Sequence, residues 1–410
     1  VEDLVERAAA ASPPVTGAGL EAVLADTVAC HTVEDLRTRL AEGQPLRVKL
    51  GVDPSSADLH LGHAVQLRYL ARLQRLGHQP VLIIGDATAM VGDPSGRNVT
   101  RPQLGREQVQ AHARTYFEQA AKVLDMGRVE VRYNSEWFGA MGFMDAIQLG
   151  AWMTVARMLE RDTFAERLRK QEPIGIHELL YPLMQAHDSV RIAADVEIGG
   201  TDQTFNLLVG RDLMREAGLR PQVCVTLPIL PGLDGVQKMS KSLGNYVGLT
   251  ESPREMYGKV MSLPDALMPD FFRLATDVPP AQAAALLAGP ARQAKAGLAA
   301  AVVELYHGTR AAQGAAEEFD RIFRDKGLPD EIPETELPAE AVEADGVWIV
   351  RVLTQLGLAA SASAARRLIK EGGVRLDGQR VDDEQARLPR GANVLLQVGK
   401  RRFQRVRVPS

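Results

Sequence analysis

Cysteine is nearly absent from this chain of 410 residues: Cys30 and Cys224 are the only two. That excludes a disulfide framework and the multi-cysteine patterns of a structural zinc site, and it makes a reducing cytoplasm the expected compartment. Cys224 lies in a strand-like run and reads as a small buried hydrophobe, not a nucleophile. Long apolar runs are missing too. None approaches the ~20 residues a membrane-spanning helix needs, so no membrane partner is expected. The start, Val1-Glu2-Asp3-Leu4-Val5-Glu6, is acidic and amphipathic and has neither the basic start nor the apolar core of a secretory signal. Internal repeats are not visible.

Overall cationic excess is also lacking, because the formal net charge is −4. Its distribution reverses the obvious conclusion. From Arg366 to Ser410 there are 12 Lys/Arg against 5 Asp/Glu, a local net of +7 that leaves −11 on the remainder. A basic end on an acidic body points to a local contact with a polyanion. At this length two or three domains are expected.

The order strand–helix–strand opens the first of them. Val48 to Val52 and Val81 to Asp86 read as buried strands, and their unbroken apolar character fits a parallel sheet covered on both faces. Between them, Val65, Tyr69, Leu70, Leu73 and Leu76 recur at helical spacing. Val129 to Asn134 and Cys224 to Leu230 are further strand candidates; Tyr116 to Leu124, Met144 to Gly150 and Phe205 to Met214 read as helices. The fold class is therefore α/β, with ligands expected beyond the carboxyl ends of the strands. From about 245 to 325 the chain turns helical and Ala-rich, with helices expected from Pro279, over Leu298 to Tyr306 and over Ala311 to Phe323. Pro329, Pro333 and Pro338 among acidic residues read as a linker. A compact end follows, with helix signals at Trp348 to Leu356 and Ser363 to Glu371 and an Asp377-Gly378 turn between strand-like runs.

Gln237-Lys238-Met239-Ser240-Lys241-Ser242 is the most informative stretch. Two lysines three residues apart, interleaved with hydroxyls, make a mobile cationic loop suited to a polyphosphate whose charge rises during reaction. About 175 residues upstream, Asp58-Leu59-His60-Leu61-Gly62-His63 follows an apolar strand. His60 and His63 share one helical face, Gly62 removes a side chain where something must approach closely, and the helix start suits phosphate. No third ligand accompanies the histidines in an evident pattern, so no metal is expected there. A second loop, Gly85 to Arg97, is dense in Gly, Asp and hydroxyls, and Asp93 is well placed for an ammonium group. Tyr181, Gln185 and Asp188 form a polar face in an apolar helix, and Gly199-Gly200-Thr201-Asp202-Gln203 adds an acid that could hold a ribose diol.

In order and spacing these segments resemble the bacterial tyrosyl-tRNA synthetases, a family of class I aminoacyl-tRNA synthetases, over nearly the whole chain from about Leu46. The resemblance implies a Rossmann-like parallel-sheet catalytic domain over 1–245, with an N-terminal helical segment and a connective insertion. An α-helical anticodon-side domain over 246–328, a linker over 329–345 and a small α+β RNA-binding module over 346–410, of the kind shared with a ribosomal small-subunit protein, would follow. It implies tyrosine activation with ATP, transfer of tyrosine to its tRNA, and a homodimer. The substrates would be L-tyrosine, ATP with Mg2+, and the tRNA for tyrosine, with no prosthetic group. His60, His63, Lys238 and Lys241 would be catalytic. Asp53, Gly62, Gly200, Asp202, Met239 and Ser240 would join them at ATP. Gly51, Thr88, Asp93, Tyr181, Gln185, Asp188 and Gln203 would bind tyrosine, with Asp188 accepting the phenol hydrogen bond. Arg366, Arg367, Lys370 and Arg375 would contact tRNA phosphates. Leu61 stands where isoleucine is commoner. Lys49 stands where many members carry a tyrosine that assists at the phenol; a solvated strand-edge lysine is the expectation for it. Activation of another aromatic amino acid, or a catalytically silent RNA-binding relative, are the alternatives.

Overall fold

The computed structural model describes residues 19–95, 105–323, 332–343, 345–399 and 402–409. The N-terminal segment before Gly19, Gly96 and Arg97 of the second loop, and Pro329 to Glu331 of the expected linker lie outside the described residues. The chain divides into two compact units, Val1–Gly308 and Thr309–Ser410.

The first unit is built on a six-stranded sheet. Its strands are β1 (Ala29–His31), β2 (Arg47–Val52), β3 (Gln79–Ile84), β4 (Glu130–Tyr133), β5 (Val196–Gly200) and β6 (Val223–Leu227), in the order β1-β6-β5-β2-β3-β4. The five strands from β6 to β4 run parallel. Val81 to Ile84 and Val223 to Leu227 are buried throughout, which is why the sequence shows them as unbroken apolar runs. β1 pairs antiparallel to β6 and was not legible as a strand, being three residues at an edge. The chain proceeds outward from β2 to β4 and then resumes at β5 on the other side of β2. The crevice between β2 and β5 is therefore the switch point where ligands are expected in open α/β sheets.

The helices follow the periodicity, most of them running longer, but the run expected over Tyr116 to Leu124 is helical only to Ala120. α1 (Leu61–Arg75) turns Leu61, Ala64, Val65, Leu67, Leu70 and Leu73 into the core beside β2 and β3. Then come α2 (Arg106–Ala120), α3 (Phe143–Ala151), α4 (Ile176–Ile192) and α5 (Thr204–Glu216), with α4 and α5 packed along each other. After β6 the chain becomes helical: α6 (Pro253–Val260), α7 (Met268–Ala275), α8 (Pro280–Leu287) and α9 (Ala291–His307). Leu298, Val302 and Val303 of α9 are fully buried in this bundle.

The second unit begins with α10 (Thr309–Phe323). Its strands are β7 (Glu334–Glu336), β8 (Val347–Trp348), β9 (Val374–Leu376), β10 (Gln379–Arg380), β11 (Arg387–Leu388), β12 (Asn393–Val398) and β13 (Arg402–Arg407). Helices α11 (Ile349–Gln355) and α12 (Ala362–Lys370) share a core with them, including Val350, Leu353, Ile369, Val374 and Leu396. Asp377 and Gly378 both take positive φ, 49° and 84°, the turn geometry that joins β9 to β10. Within the proline-spaced acidic stretch, β7 pairs parallel to β13, and Glu334 lies 3.2 Å from Arg407. Acidic composition here serves a strand laid beside a basic one.

Candidate active site

Four loops at the carboxyl ends of the parallel strands build one site. After β2 the segment from Asp53 to His60 is held in place by α2. The Leu59 N–H donates to Gln119 Oε1 at 2.6 Å, the Gln119 amide donates to the Ala57 carbonyl at 3.0 Å, and His112 Nδ1 lies 3.0 Å from the Pro54 carbonyl. His60 caps α1 in extended conformation, and its backbone N–H donates to His63 Nδ1 at 3.3 Å. The two imidazoles lie 3.8 Å apart between centroids. Burial, then His63, Lys241 and Lys238, push the His60 imidazole down to about 2, so it is neutral at physiological pH and acts as a hydrogen-bonding group, not a cation. His60 Nδ1 is buried and finds no protein partner among the described residues. A Cβ on Gly62 would stand 3.0 Å from the His60 ring, so any side chain there would crowd that imidazole.

The 237–242 loop faces these histidines across a cleft of about 410 Å³, also lined by Ser55, Gln66, Gly200 and Asp202. Lys238 Nζ lies 3.0 Å from Asp202 Oδ2, and Lys241 Nζ lies 2.6 Å from Asp58 Oδ2. The sequence reading of a mobile loop needs qualifying, because the loop is clamped at its base. Ser240 N–H donates to Asn245 Oδ1 at 2.8 Å, while Asn245 Nδ2 donates to Asp234 Oδ2 at 2.6 Å and to the Lys238 carbonyl at 3.2 Å. Backbone N–H groups of Val236 and Gln237 and the Asn245 amide hold the Asp234 carboxyl below its usual range. Met239 turns inward and is buried. Asn245 and Asp234 were missed by sequence reasoning; an Asn just beyond the lysine pair was the available signal.

Behind the cleft lies a second, drier cluster. Asp53 Oδ1 accepts from the Thr88 hydroxyl at 2.7 Å and Oδ2 from the Tyr181 hydroxyl at 2.8 Å. A Cβ on Gly85 would overlap both Asp53 and Thr88. Asp93 accepts from the Ser95 N–H at 2.8 Å and from Gln203 Nε2 at 2.9 Å. Gln185 Oε1 and Gln203 Oε1 each accept from Asn206 Nδ2 at 3.0 Å. Gly51 is exposed, with open space where a Cβ would point. Buried Arg161 approaches Asp93 to 4.0 Å. Asn206 and Arg161 were not singled out in the sequence, since nothing local distinguishes them from any helical Asn or Arg.

Asp188, on the same face of α4 as Tyr181 and Gln185, is only 4% exposed. Its Oδ1 accepts from Trp137 Nε1 at 2.9 Å and its Oδ2 faces Asn134 Nδ2 at 3.4 Å. Asn134 also donates to the Thr88 hydroxyl at 3.0 Å. Burial pushes the Asp188 carboxyl up to about 7, against the pull of Lys49 and of its two donors. Lys49 itself corrects the sequence expectation. It is not a solvated edge lysine: β2 is central, Lys49 is 0% exposed, and its ammonium lies 2.9 Å from Glu197 Oε1. Both faces of β2 are covered here, since Val48, Lys49 and Leu50 are all buried, and a lysine tolerates that only when fully paired.

In the second unit the four expected tRNA contacts lie on α12 and β9. Arg367, Lys370 and Arg375 are exposed. Arg366 is half-buried, its guanidinium 5.2 Å from the centre of the Trp348 ring.

The parallel sheet thus opens at its switch point into a crevice walled by a histidine-capped helix and a two-lysine loop. The chain belongs to the class I tRNA synthetases for tryptophan and tyrosine, whose family pattern it matches over residues 41–324, and residues 347–394 match the S4 domain. Relatives carry the name tyrosine–tRNA ligase. That of Moorella thermoacetica is 52% identical over 377 residues, covering 90% of each chain. That of Thermotoga maritima is 49% identical over 380 residues, covering 91% of this chain and 93% of its own. Among solved structures, a tyrosyl-tRNA synthetase from Archaeoglobus fulgidus complexed with L-tyrosine shares the fold at a TM-score of 0.60 and 22% identity, over 77% of this chain and 100% of its own. A truncated mitochondrial enzyme from Aspergillus nidulans does so at 0.62 and 21%, over 78% and 99%.

Proposed function

We propose that this chain is a tyrosine–tRNA ligase that activates L-tyrosine with ATP and passes it to the terminal adenosine of its tRNA. The observation that carries the amino-acid choice is the buried Asp188 carboxylate between Trp137 and Asn134, an acceptor linked through Asn134 and Thr88 to Asp53. A phenol hydroxyl donates to an ionised carboxylate; an apolar ring leaves it unpaired.

In this reading tyrosine lies with its ammonium among Asp93, Tyr181 and Gln185, and with its phenol at Asp188. Gly51 and Thr88 line its passage, and Gln203 holds the carboxylate side. Tyrosine's carboxylate oxygen attacks the α-phosphorus of ATP, the bond to the β,γ-pyrophosphate breaks, and both electrons leave with pyrophosphate. No side chain becomes a nucleophile; catalysis is positioning plus charge stabilisation. Gly62 lets the adenosine approach α1, Asp53, Gly200 and Asp202 serve the nucleoside side, and His60 and His63 donate to phosphate oxygens. Lys238 and Lys241 exchange Asp202 and Asp58 for the pyrophosphate as its charge grows, with Met239 and Ser240 shaping the loop. Mg2+ is assigned to the substrate as the counter-ion of the triphosphate, and no three His, Cys, Asp or Glu groups converge as a metal site among the described residues.

Transfer to tRNA would use the basic unit, with Arg366, Arg367, Lys370 and Arg375 on phosphates. A homodimer is supported by α3, which presents Phe143 (79% exposed), Met144 and Ile147 outward, with exposed Trp152, Val155 and Ile176 (80%) in the same unit; a second copy is the occupant we assign to this apolar surface. No described helix is long and apolar enough to cross a membrane. A cytoplasmic location is the reading consistent with two free cysteines. Pyrophosphate exchange driven by each amino acid in turn tests the reading. Exchange with tyrosine is expected; its absence, or stronger exchange with tryptophan, overturns it.

A further inference from the structure

Lys49 and Glu197 have no role in the chemistry just described, yet they occupy the switch point itself. They are register partners on adjacent parallel strands β2 and β5. Two residues further on, β2 delivers Gly51 and β5 delivers Gly199, so the pair lies directly beneath the mouth of the crevice. Both side chains are closed to water, at 0% and 2% exposed.

All their hydrogen-bonding capacity is used. Lys49 Nζ donates to the Gln185 carbonyl at 2.7 Å, to Ser189 Oγ at 2.7 Å and to Glu197 Oε1 at 2.9 Å. Those are the three donors an ammonium has. Glu197 Oε1 also faces Gln185 Nε2 at 3.2 Å, and Oε2 accepts from Ser189 Oγ and Gln222 Nε2, at 2.7 and 2.8 Å. A side chain at Gly210 on α5 would collide with Gln222 and crowd Glu197. No valence is left for a substrate, so the pair acts only through what it holds.

What it holds is one turn of α4. Gln185 and Ser189 flank Asp188, and the pair grips the first by backbone and side chain and the second by its hydroxyl. Gln185 Oε1 is left for Asn206, and through it Gln203, on the tyrosine side. We propose that Lys49 and Glu197 are positioning residues for tyrosine recognition: the pair pins the 185–189 turn of α4 to β2 and β5, fixing Gln185 and Asp188 at the spacing that admits a phenol. Lys49 also draws the Asp188 carboxyl toward its ionised form, the one that accepts from a phenol, while Glu197 opposes it more weakly. The inference rests on the tyrosine reading above.

A structural ion pair would lower stability when removed and leave selectivity alone, because breaking a buried pair destabilises whatever its location. The test is therefore kinetic, on the full chain, well below the melting transition. In Lys49→Met/Glu197→Gln no buried charge is left unpaired. Its KM for tyrosine in pyrophosphate exchange should rise about tenfold, its kcat should stay within about twofold, and its preference for tyrosine over phenylalanine should fall about tenfold. Ser189→Ala, which keeps both charges, should move KM and preference the same way by about threefold and carries the test if the double variant does not fold. Unchanged tyrosine KM and preference, or a loss confined to kcat, in a folded variant of an active parent overturns the inference alone. A parent inactive with tyrosine overturns the proposed function and this inference with it.

Discussion

At the nucleotide end of the cleft, Lys238 and Lys241 rest on Asp202 and Asp58, carboxylates partly open to solvent. In the proposed amino-acid site, Asp188 is buried with indole and amide donors, near a Lys49–Glu197 pair with no valence to spare. Ion pairs in contact with water contribute little stability, about 0–1 kcal/mol each, and are exchanged cheaply for a phosphate. Buried saturated networks are costly to rearrange and hold one geometry. In the proposed reading, the end that follows a changing charge is built from exchangeable contacts, and the end that refuses a missing hydroxyl is built from fixed ones.

The contrast is sharpest for the lysines. Lys238→Ala and Lys241→Ala should each slow single-turnover adenylate formation by about 100-fold or more, as removal of one transition-state donor generally does. Tyrosine affinity should stay within about threefold. A weakened tyrosine affinity with an unchanged chemical rate would show that the two ends are not separate. Next in size, a chain ending before Val347 should retain pyrophosphate exchange and lose about 10- to 100-fold in tRNA charging at moderate salt. The loss should narrow at low salt, where fewer phosphate contacts suffice. Equal charging by both chains across a salt series would make the basic unit dispensable.

Asp188→Asn should cost about 10- to 100-fold in the ratio of catalytic efficiencies for tyrosine over phenylalanine. The physical basis is the cost of an unpaired buried acceptor, an effect for which tyrosyl-tRNA synthetases are themselves the usual illustration. The same residue sets a pH dependence. Its carboxyl lies at about 7 in the folded chain against 3.8 ordinarily, so between those values the folded state holds a proton that the unfolded state does not. Through this group, the added stability is fully present below pH 3.8 and is lost as pH rises through about 7. Tyrosine binding runs oppositely, since the phenol needs the ionised form: KM should rise up to about tenfold per pH unit below 7. Asp188→Asn should flatten that limb, and a parent profile level from pH 8 to 6 would contradict the assignment. The smallest effect is expected at Gly85→Ala, whose new methyl crowds Asp53 and Thr88. A cost of about 1–3 kcal/mol in urea unfolding is expected, with a modest rise in tyrosine KM.

Much of the site was legible because its residues stand in runs. Asp58 to His63, Gly199 to Gln203 and the 237–242 loop each put several chemical groups on one loop, so local order exposes them. Tyr181, Gln185 and Asp188 were visible through helical period alone. Asn134 and Trp137, from one turn after β4, and Arg161 and Asn206, each from a separate segment, were not, because they meet the site only through packing. Asn245 was within reach and was passed over.

The sequence by itself determined the strand–helix alternation, the parallel character of the buried strands, the charge-segregated basic end and the motif residues, since these follow from local period and composition. Tertiary structure alone decided which carboxylates the lysines rest on, which donors reach Asp188, and that β1 caps the sheet edge. Lys49 shows the difference most clearly. A lysine in a strand reads as solvated because desolvating an ammonium is costly. Only the β2–β5 register, which sets Glu197 directly opposite it with Ser189 and Gln185 above, supplies the partners that make its burial possible.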